Sequence, residues 1–232
     1  MASFAPEDTA PDPTSLRTLP SRATHTRTTL LEARADYCVS GVLNACNGSE
    51  EDGWVHRKTE AGVLIDSKEE ADSEILLFRG RATIESDVHT LARYVVGVDH
   101  MSEFDDLFVR GRLLEQSGET RVFHCEYRGP VFLIQNRDFV YEETVRTIPG
   151  GCIVVAAHSV EREDAPMLSR CIRGEIYCSG WILKPLSSTC TEVTYVIQVD
   201  PKGWIPTALV NKITLDGPLC VAKLKQLVET AS

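Results

Sequence analysis

Apolar and polar residues alternate with a period of two along much of the chain, and this pattern predicts β-strands. Three alternating segments precede residue 85: residues 54–59, 63–68 and 74–84. Five more follow residue 119: residues 120–127, 137–147, 152–160, 173–184 and 191–199. Several of these segments carry most of their apolar residues on one side, which is typical of an antiparallel sheet with one buried face.

Other segments repeat their apolar residues at helical spacing. The first predicted helix begins at Thr29, which forms a capping box with Glu32. An apolar stripe follows at spacings of three and four residues: Leu31, Ala35, Cys38 and Val42. A second helix is predicted over residues 87–98 with Asp87 as its cap, and a third over residues 204–229.

The third predicted helix contains two features that disturb helices. Pro206 is tolerated in a first helical turn. Gly217 and Pro218 interrupt the middle, where a proline costs roughly 3 kcal/mol and kinks or breaks a helix. The interruption predicts either a bend over a curved sheet or a point at which the helix opens.

The order of the predicted elements indicates the fold class. Strands interrupted by one helix and closed by another favour an α+β protein with an antiparallel sheet, covered by the C-terminal helix. Residues 1–26 are rich in Pro, Ser and Thr and show almost no apolar pattern, which predicts a disordered tail. We therefore expect one folded domain over residues 27–232.

Composition excludes several classes of protein. The formal net charge of −10 argues against nucleic-acid binding, which normally requires a basic surface. The sequence holds no apolar run of the roughly 18 to 20 residues that a membrane-spanning helix needs. The first residues lack the basic region and apolar core of a secretory signal. These features favour a cytoplasmic protein.

The eight cysteines show no C-x-x-C spacing and no accompanying histidine cluster, so no metal site is predicted. We expect reduced, mostly buried thiols. Nothing in the sequence calls for a cofactor.

Aromatic and charged residues share one face of several predicted strands. In residues 137–147 that face carries Phe139, Tyr141, Glu143 and Val145. In residues 191–199 it carries Val193, Tyr195, Ile197 and Val199. In residues 173–184 the face with Tyr177 and Trp181 also holds Arg173 and Glu175. This pattern predicts either a pocket with a few polar groups or a core with satisfied ion pairs, and alternation does not separate the two.

The register of residues 120–127 is also open. Phe123, Cys125 and Tyr127 form one face of this strand, and His124 and Glu126 form the other. Either face could line an interior space.

Five motifs in order resemble START domains, the steroidogenic-acute-regulatory-protein-related lipid-transfer family. They are "SEFDDLF" (with Phe104 in place of the usual Trp), "QNRDFVY", "RCIRGEI", "GWILKPL" and "VDPKGWIPTALVNK", preceded by Trp54 at an early tryptophan position. The similarity covers residues 29–229. It implies a helix-grip fold, in which a curved antiparallel sheet wraps around a long C-terminal helix and encloses a tunnel for one lipid.

The resemblance also implies roles for individual residues. Glu143 lies where sterol-binding relatives carry a charged, basic group, so its sign is reversed. Tyr177 and Phe139 fall at positions of the aromatic cage of choline-lipid-binding relatives. Asp105 is retained, but Met101 stands where those relatives hold phosphate with a basic residue. A lone carboxylate such as Glu143 on an apolar wall must be paired, hydrated or protonated.

Further positions are assigned mainly structural roles. Arg137 and Asp138 are interpreted as an ion pair or turn network, and Trp54 and Trp204 as packing residues. Arg173 is either a polar group of the pocket or part of a buried pair. The full set of candidate lipid-binding residues is Asp105, Phe123, His124, Cys125, Tyr127, Phe139, Tyr141, Glu143, Arg173, Tyr177, Trp181, Tyr195, Ile197, Leu209 and Ile213.

Three function classes are considered: a lipid carrier or sensor, a helix-grip enzyme of the cyclase or hydrolase type, and an interaction module with a collapsed pocket. The sequence contains no G-x-S-x-G, H-E-x-x-H or P-loop motif, which disfavours an enzyme. We expect a monomeric, non-enzymatic carrier of one lipid, either a sterol or, as the second choice, a phospholipid or ceramide-like lipid.

The C-terminal helix is the predicted gate and membrane contact of this carrier. From residue 201 onward, the net charge of the chain is +2. This segment contains four lysines and two acidic residues: Lys202, Lys212, Lys223, Lys225, Asp216 and Glu229. A basic segment on an acidic protein favours transient contact with an anionic membrane.

Overall fold

The computed structural model describes residues 22–129 and 134–230, which form ten strands and five α-helices. The helices are α1 Arg22–Asn47, α2 Val88–Val95, α3 Met101–Phe104, α4 Thr207–Thr214 and α5 Cys220–Thr230, with 3-10 turns at Glu50–Asp52 and Gly217–Leu219. The strands are β1 Val55–Glu60, β2 Val63–Glu70, β3 Ser73–Ile84, β4 Phe108–Ser117, β5 Thr120–Tyr127, β6 Asn136–Ile148, β7 Cys152–Ser159, β8 Cys171–Arg173, β9 Glu175–Pro185 and β10 Thr191–Asp200.

Nine of the strands form one curved antiparallel sheet in the order β1-β2-β3-β10-β9-β7-β6-β5-β4, and β8 pairs in parallel with β6. The α+β prediction, with a curved antiparallel sheet and a C-terminal helix, is confirmed. Sequence patterns missed β4 and β8. Strand β4 carries register shifts between Phe108 and Arg110 and between Leu113 and Glu115, which break its period of two. Strand β8 has only three residues.

The sequence predicts N-terminal caps for two helices, and the structure confirms one of them. Helix α1 begins at Arg22, so Thr29 and Glu32 lie inside it and the predicted capping box is wrong. The cap of α2 is confirmed, because the Asp87 carboxylate accepts hydrogen bonds from the backbone N–H groups of His89 and Thr90. Residues 1–21 of the predicted tail lie outside the described residues.

The C-terminal half of α1 packs on the outer face of the sheet. The chain divides into two compact units after Arg34, and within the second unit Cys38 and Val42 are buried with residues of β7, β9 and β10. Buried Arg79 of β3 holds the end of the helix. Its guanidinium donates to the carbonyl oxygens of Ala45 at 2.8 Å and Gly48 at 2.7 Å, satisfying groups that a helix end leaves unpaired.

Trp54 is a packing residue, as predicted. Its ring lies 4.0 Å from the Arg79 guanidinium and only 4% of its surface is exposed. Trp204 is not a packing residue. It lies in the turn before α4 and is fully exposed, so the second half of that prediction is wrong.

The inner face of the sheet is covered by α2, α3, α4 and α5. The largest apolar cluster joins strands β2, β3, β7, β9 and β10 to the three helices α2, α3 and α5: Val63, Ile65, Ala82, Ile84, Val88, Leu91, Val95, Phe104, Ile153, Val155, Trp181, Leu183, Val193, Val221, Leu224 and Val228. Gly80 lets the 3-10 turn at Pro218 approach β3 closely, because a Cβ atom at Gly80 would lie 2.5 Å from Pro218 Cβ.

The predicted C-terminal helix is two helices. Its interruption occurs where Gly217 and Pro218 predict it, as a 3-10 turn between α4 and α5. The first helix starts later than predicted, at Thr207, with Pro206 as its cap residue. None of the described helices combines the length and apolarity that crossing a bilayer requires.

Candidate functional site

The inner face of β5 and β6 is aromatic. Phe123 and Cys125 of β5 and Phe139 and Tyr141 of β6 form one buried cluster. Tyr127 joins it, with its ring centroid 5.5 Å from that of Phe139 in an edge-to-face arrangement. These contacts settle the register of β5: its Phe, Cys and Tyr residues face the interior.

His124 therefore faces the other side of the sheet. Its Nε2 lies 2.7 Å from Asp138 Oδ2, and the Arg173 guanidinium donates to the same oxygen at 2.9 Å. Burial raises the pKa of Asp138, but the hydrogen bonds from Arg173 and His124 outweigh it and leave the pKa below its usual value. The structure thus places His124 and Arg173 in a polar network on the outer face, away from the aromatic cluster.

An ion pair lies on the inner wall beyond Tyr141. Glu143, 3% exposed, accepts the backbone N–H of Gly97 through both carboxylate oxygens and forms an ion pair with Arg121 at 2.5 Å. Burial raises the pKa of Glu143, and the opposing attraction of Arg121 does not cancel that effect. The pair is therefore costly to bury, and Arg121 is its more exposed partner, with 21% of its side chain accessible.

Arg121 was missed by the sequence analysis, although a signal for it exists. Arg121 precedes Phe123 by two residues and so shares its face. In the antiparallel register it pairs directly with Glu143, as Phe123 pairs with Tyr141. If β5 and β6 are aligned as antiparallel neighbours with Phe123 opposite Tyr141, Arg121 falls opposite Glu143. That alignment would have predicted the contact.

The wall on the other side of the interior is built from β9 and β10. Trp181 stacks on Tyr195 with ring centroids 4.3 Å apart, and Phe104 of α3 meets Trp181 edge to face at 5.8 Å. Ile197 faces the turn between α4 and α5, since a Cβ on Gly217 would lie 3.6 Å from its Cδ1 atom. These predicted site residues do line the inner face.

Four polar side chains are surrounded by protein and still retain accessible surface: Asp105, Tyr127, Tyr195 and Cys220. They come from separate elements and interact electrostatically with one another. Burial raises the pKa of each group, so the tyrosines and the thiol stay neutral.

Tyr177 and Leu209 lie apart from this interior. A register shift between Gln198 and Val199 moves Ile176 to the inner face and leaves Tyr177 39% exposed, with its hydroxyl donating to Asp200. Tyr177 contributes to a surface pocket of about 390 Å³ beside α4. Leu209 is equally exposed, whereas its neighbour Val210 is the buried residue of α4; Ile213 is half-buried.

The interior thiols are poor nucleophiles. Burial raises the pKa of Cys125 to about 12 and also raises that of Cys220, so both stay protonated near neutral pH. Cys125 Sγ lies 3.5 Å from the Tyr141 hydroxyl, and the Tyr127 hydroxyl donates to Met101 Sδ at 2.9 Å. The chemistry of the site is that of hydrogen bonding inside an aromatic, apolar wall.

Pairing reduces the expected positive charge near α4 and α5. Lys202 contacts Glu175 at 2.8 Å and Asp200 at 2.9 Å. Lys223 forms an ion pair with Asp106, and Lys225 lies 3.8 Å from Glu229. The net charge of +2 is therefore a weaker membrane signal than the sequence suggests, because nearby carboxylates neutralise most of it.

Comparisons with known proteins agree with this architecture. A family model described as "START domain" matches residues 39–225. Uncharacterized protein PA1579 of Pseudomonas aeruginosa is 28% identical over 82% of this chain and 93% of its own. Steroidogenic acute regulatory protein of Xenopus laevis is 24% identical over 71% of this chain and 59% of its own, and human ceramide transfer protein 22% over 54% and 23%.

A solved structure shows the same fold. Human StAR-related lipid transfer protein 5 aligns with a TM-score of 0.82 at 18% identity, covering 88% of this chain and 98% of its own. The family model covers well over half of the sequence, and the open sheet, the interrupted C-terminal helix and the aromatic interior are all present. The chain belongs to the START domain family.

Proposed function

We propose that this protein binds one lipid molecule in its interior and carries it, without chemical change, as a cytoplasmic monomer in transient contact with membranes. The observation that carries the proposal is the ion pair of Arg121 and Glu143 at the end of an aromatic inner wall. A buried charge pair contributes little to stability by itself. Its position next to apolar surface suits an amphipathic ligand with one polar group.

Charge favours a neutral headgroup. The inner polar groups include the carboxylate of Glu143, which Arg121 balances, and the carboxyl group of Asp105, whose neighbouring cation Lys223 is itself paired with Asp106. A phosphate group would approach these two acidic side chains and find no cation beside them that is free of a carboxylate partner. A hydroxyl can donate to Glu143 and accept from Arg121, which favours a sterol and, as the second candidate, a ceramide-like lipid.

The interior supports a carrier more than an enzyme. The interior cysteines remain thiols, and the buried histidine His124 lies on the outer side of the sheet, bound to Asp138. An activated nucleophile would need a base within hydrogen-bonding distance. Incubation with thioester and polyketide-like substrates should therefore yield no product.

The identity of the ligand is testable with purified protein. Native mass spectrometry of protein from its own cells should reveal one bound neutral lipid per chain. Titration with a fluorescent sterol, a ceramide and a phosphatidylcholine should give tightest binding to the sterol. Glu143→Gln should weaken sterol binding, whereas Glu126→Gln, which alters a pair on the outer strands, should not. A protein that is isolated empty and binds none of the three lipids would refute the proposal.

The proposed gate is α4. It is bounded by the exposed turn at Trp204 and by the Gly217–Pro218 interruption, and Asn211 ties it to β3 through hydrogen bonds to Leu76 N and Glu74 O. A short helix attached mainly by side chains is a suitable element for local opening. Trp204 and Leu209 present apolar surface that would enter the membrane interface.

Arg137 anchors the entrance of this gate. Its guanidinium donates to the carbonyl oxygens of Pro201 at 3.0 Å and Lys202 at 3.1 Å, and also to that of Gln135. The Arg137 side chain thereby fixes the turn that leads into α4. Opening of α4 would pivot between this turn and the 3-10 turn at residue 217.

A reversible cross-link tests the gate. Asn211→Cys combined with Leu76→Cys places thiols on two residues that are joined by the hydrogen bond from the Leu76 backbone N–H to the Asn211 side chain. Oxidation should abolish lipid transfer between vesicles, and reduction should restore it. Asn211→Cys alone serves as the control, and normal transfer by the fully cross-linked protein would exclude α4 as the gate.

A further inference from the structure

The outer face of strands β1, β2 and β3 carries a group of polar side chains that lies away from the lipid-binding interior. We call it the outer cationic site, made of His56 and Thr59 of β1, Asp66 of β2 and Arg81 of β3. The strand register places His56 opposite Asp66 and Thr59 opposite Leu64, and it places Leu64 opposite Arg81. Side chains paired in this way are neighbours on one face of the sheet.

This part of the outer face is open to solvent. Val63 and Ile65 of β2 are buried in the main apolar core, so Leu64 and Asp66 project from the opposite face. Arg79 holds the end of α1, and Arg81 is the next residue of β3 on the same face. The outer cationic site therefore lies just beyond the end of α1, next to the exposed side chain of Leu64.

A shared carboxylate fixes the positions of the other side chains. Asp66 is buried, and its Oδ2 accepts from Arg81 Nη2 at 3.0 Å while its Oδ1 lies 3.1 Å from His56 Nδ1. The second ring nitrogen, His56 Nε2, lies 3.3 Å from Thr59 Oγ1. The guanidinium, the imidazole and the hydroxyl are thus held together before any ligand arrives, as in a preorganised binding site.

The outer cationic site carries a positive charge that no carboxylate among the described residues balances. Arg79 also donates to Asp66 Oδ2 at 3.0 Å, so two guanidinium groups share one carboxylate. Burial raises the pKa of Asp66, but the hydrogen bonds from His56 and Arg79 outweigh it and leave the pKa below its usual value. The side chain of Arg79 is 3% exposed and that of Arg81 is 38% exposed, so the excess charge is accessible at Arg81.

The guanidinium of Arg81 also has unused hydrogen-bond donors. It can donate five hydrogen bonds, and among the described residues only the bond to Asp66 is made; its Nε is buried without a partner. Glu192 of β10 follows on the same face, but it is paired with Lys184. A buried donor without an acceptor is costly, and an anion from outside the chain would supply both the missing charge and the missing acceptors.

The donors match a phosphate monoester better than a carboxylate. A phosphate monoester has close to two negative charges near neutral pH and three acceptor oxygens. Arg81, His56 and Thr59 offer donors on three separate side chains, whereas a carboxylate has only two oxygens to accept from them. We propose that the outer cationic site binds a phosphate monoester group, supplied by a soluble molecule or by a lipid headgroup such as that of phosphatidic acid. This site is separate from the interior and does not depend on the proposed function.

Glycerol 3-phosphate is a suitable probe, because it is soluble and carries the phosphate monoester of that headgroup. Calorimetric titration should show one site per chain, and NMR should show shifts of the His56 ring signals and of the Thr59 and Leu64 amides. Arg81→Gln removes the excess charge and should weaken binding about tenfold or more. Thr59→Val keeps the side-chain shape on an exposed strand and should weaken binding about threefold.

Arg93→Gln is the matched control. Arg93 also lies beside a threonine hydroxyl, donating to Thr90 Oγ1 at 2.9 Å, but its described contacts include neither a carboxylate nor a histidine. This variant should bind glycerol 3-phosphate as the wild type does. Urea unfolding of each variant checks the fold, and Thr59→Val keeps the test valid if Arg81→Gln is unstable.

Vesicles distinguish the two sources of the phosphate group. Phosphatidylcholine vesicles containing phosphatidic acid are compared with vesicles containing phosphatidylserine at equal surface charge. Binding to phosphatidic acid that Arg81→Gln abolishes would support a lipid headgroup, and binding of glycerol 3-phosphate alone would support a soluble ligand. Failure of both probes to bind would overturn the inference. Binding that Arg81→Gln and Thr59→Val leave unchanged would overturn it as well.

Discussion

Removing Arg121 should destabilise the protein more than removing Glu143, although the two residues form one ion pair. Arg121→Met leaves the Glu143 carboxylate 3% exposed, and among the described residues only the Gly97 N–H remains as its hydrogen-bond partner. The carboxyl group must then protonate or remain charged without a cation. Glu143→Gln leaves Arg121, whose side chain is 21% exposed and can be hydrated.

The magnitude follows from protonation. A carboxyl group with the usual pKa of 4.5 costs about 3.4 kcal/mol to neutralise at pH 7, at about 1.4 kcal/mol per pH unit. This sets an upper limit of about 3.4 kcal/mol on the part of the Arg121→Met loss that comes from protonating Glu143. Glutamine at 143 still accepts from Gly97, so Glu143→Gln should cost about 1 kcal/mol or less.

The pH dependence has a definite sign. Burial raises the pKa of Glu143 in the folded state, so above pH 4.5 the folded protein binds more protons at this site than the unfolded chain does. The contribution to stability is greatest below the unfolded pKa and is lost as pH rises. Arg121→Met raises the folded pKa further, so its destabilisation should shrink to under about 1 kcal/mol near pH 5.

Urea unfolding followed by tryptophan fluorescence at pH 7 and pH 5 measures these differences. Arg110→Met is a matched control, because Arg110 pairs with Glu126 across β4 and β5 but is 69% exposed and should cost only about 0.2–1 kcal/mol. Equal losses for Arg121→Met and Glu143→Gln at pH 7 would refute the asymmetry. A loss for Arg121→Met that does not change with pH would refute the protonation argument.

Three further predictions concern the surface and the outer network. Trp204→Ala should weaken binding to anionic vesicles without changing the melting temperature, because Trp204 is fully exposed; Leu186→Ala is the control, and an equal effect of both would contradict a specific contact. Arg137→Lys should speed hydrogen exchange in α4, since an ammonium cannot span three carbonyl oxygens, and unchanged exchange would exclude the anchoring role. Arg173→Gln should destabilise the protein near pH 7 but little at pH 2–3. The folded-state pKa of Asp138 is lowered, so the contribution of its pair with Arg173 to the free energy of unfolding is lost as pH falls. Urea unfolding measures this change, and a destabilisation that persists in acid would contradict it.

The sequence pattern predicts the sheet well where one face is polar and less well where both faces are covered. Val140 and Thr144 of β6 are as buried as Phe139 and Tyr141, because the outer face of the sheet is covered as well. Alternation then separates the residues of the strand into two sets, but it does not show which set faces the interior. The aromatic side chains can be assigned to the inner face of the sheet only when the neighbouring strands and their register are known.

Irregular backbone accounts for most of the misplaced residues. The register shift beside Val199 exchanges Tyr177 for Ile176 on the inner face, and no local signal in the sequence marks it. Leu209 and Val210 are adjacent on α4, and the late start of the helix at Thr207 decides which of them is buried. Trp204 resembles a helix residue by spacing, yet it lies before the helix begins.

The two edge strands of the sheet affect how large a lipid the interior can hold. In the described part of the chain, edge strands β1 and β4 are not paired with each other, so the wall is not a closed barrel. A closed barrel has a circumference fixed by strand number and stagger, and widening it requires breaking backbone hydrogen bonds. Here the interior can expand through sheet twist and through displacement of α4 and α5. Side-chain contacts hold this pair of helices to β3, such as the hydrogen bonds of Asn211 and the packing of Pro218, in the turn between the helices, on Gly80. Helix substitutions alone could therefore adapt this scaffold to bulkier lipids while every strand keeps its register.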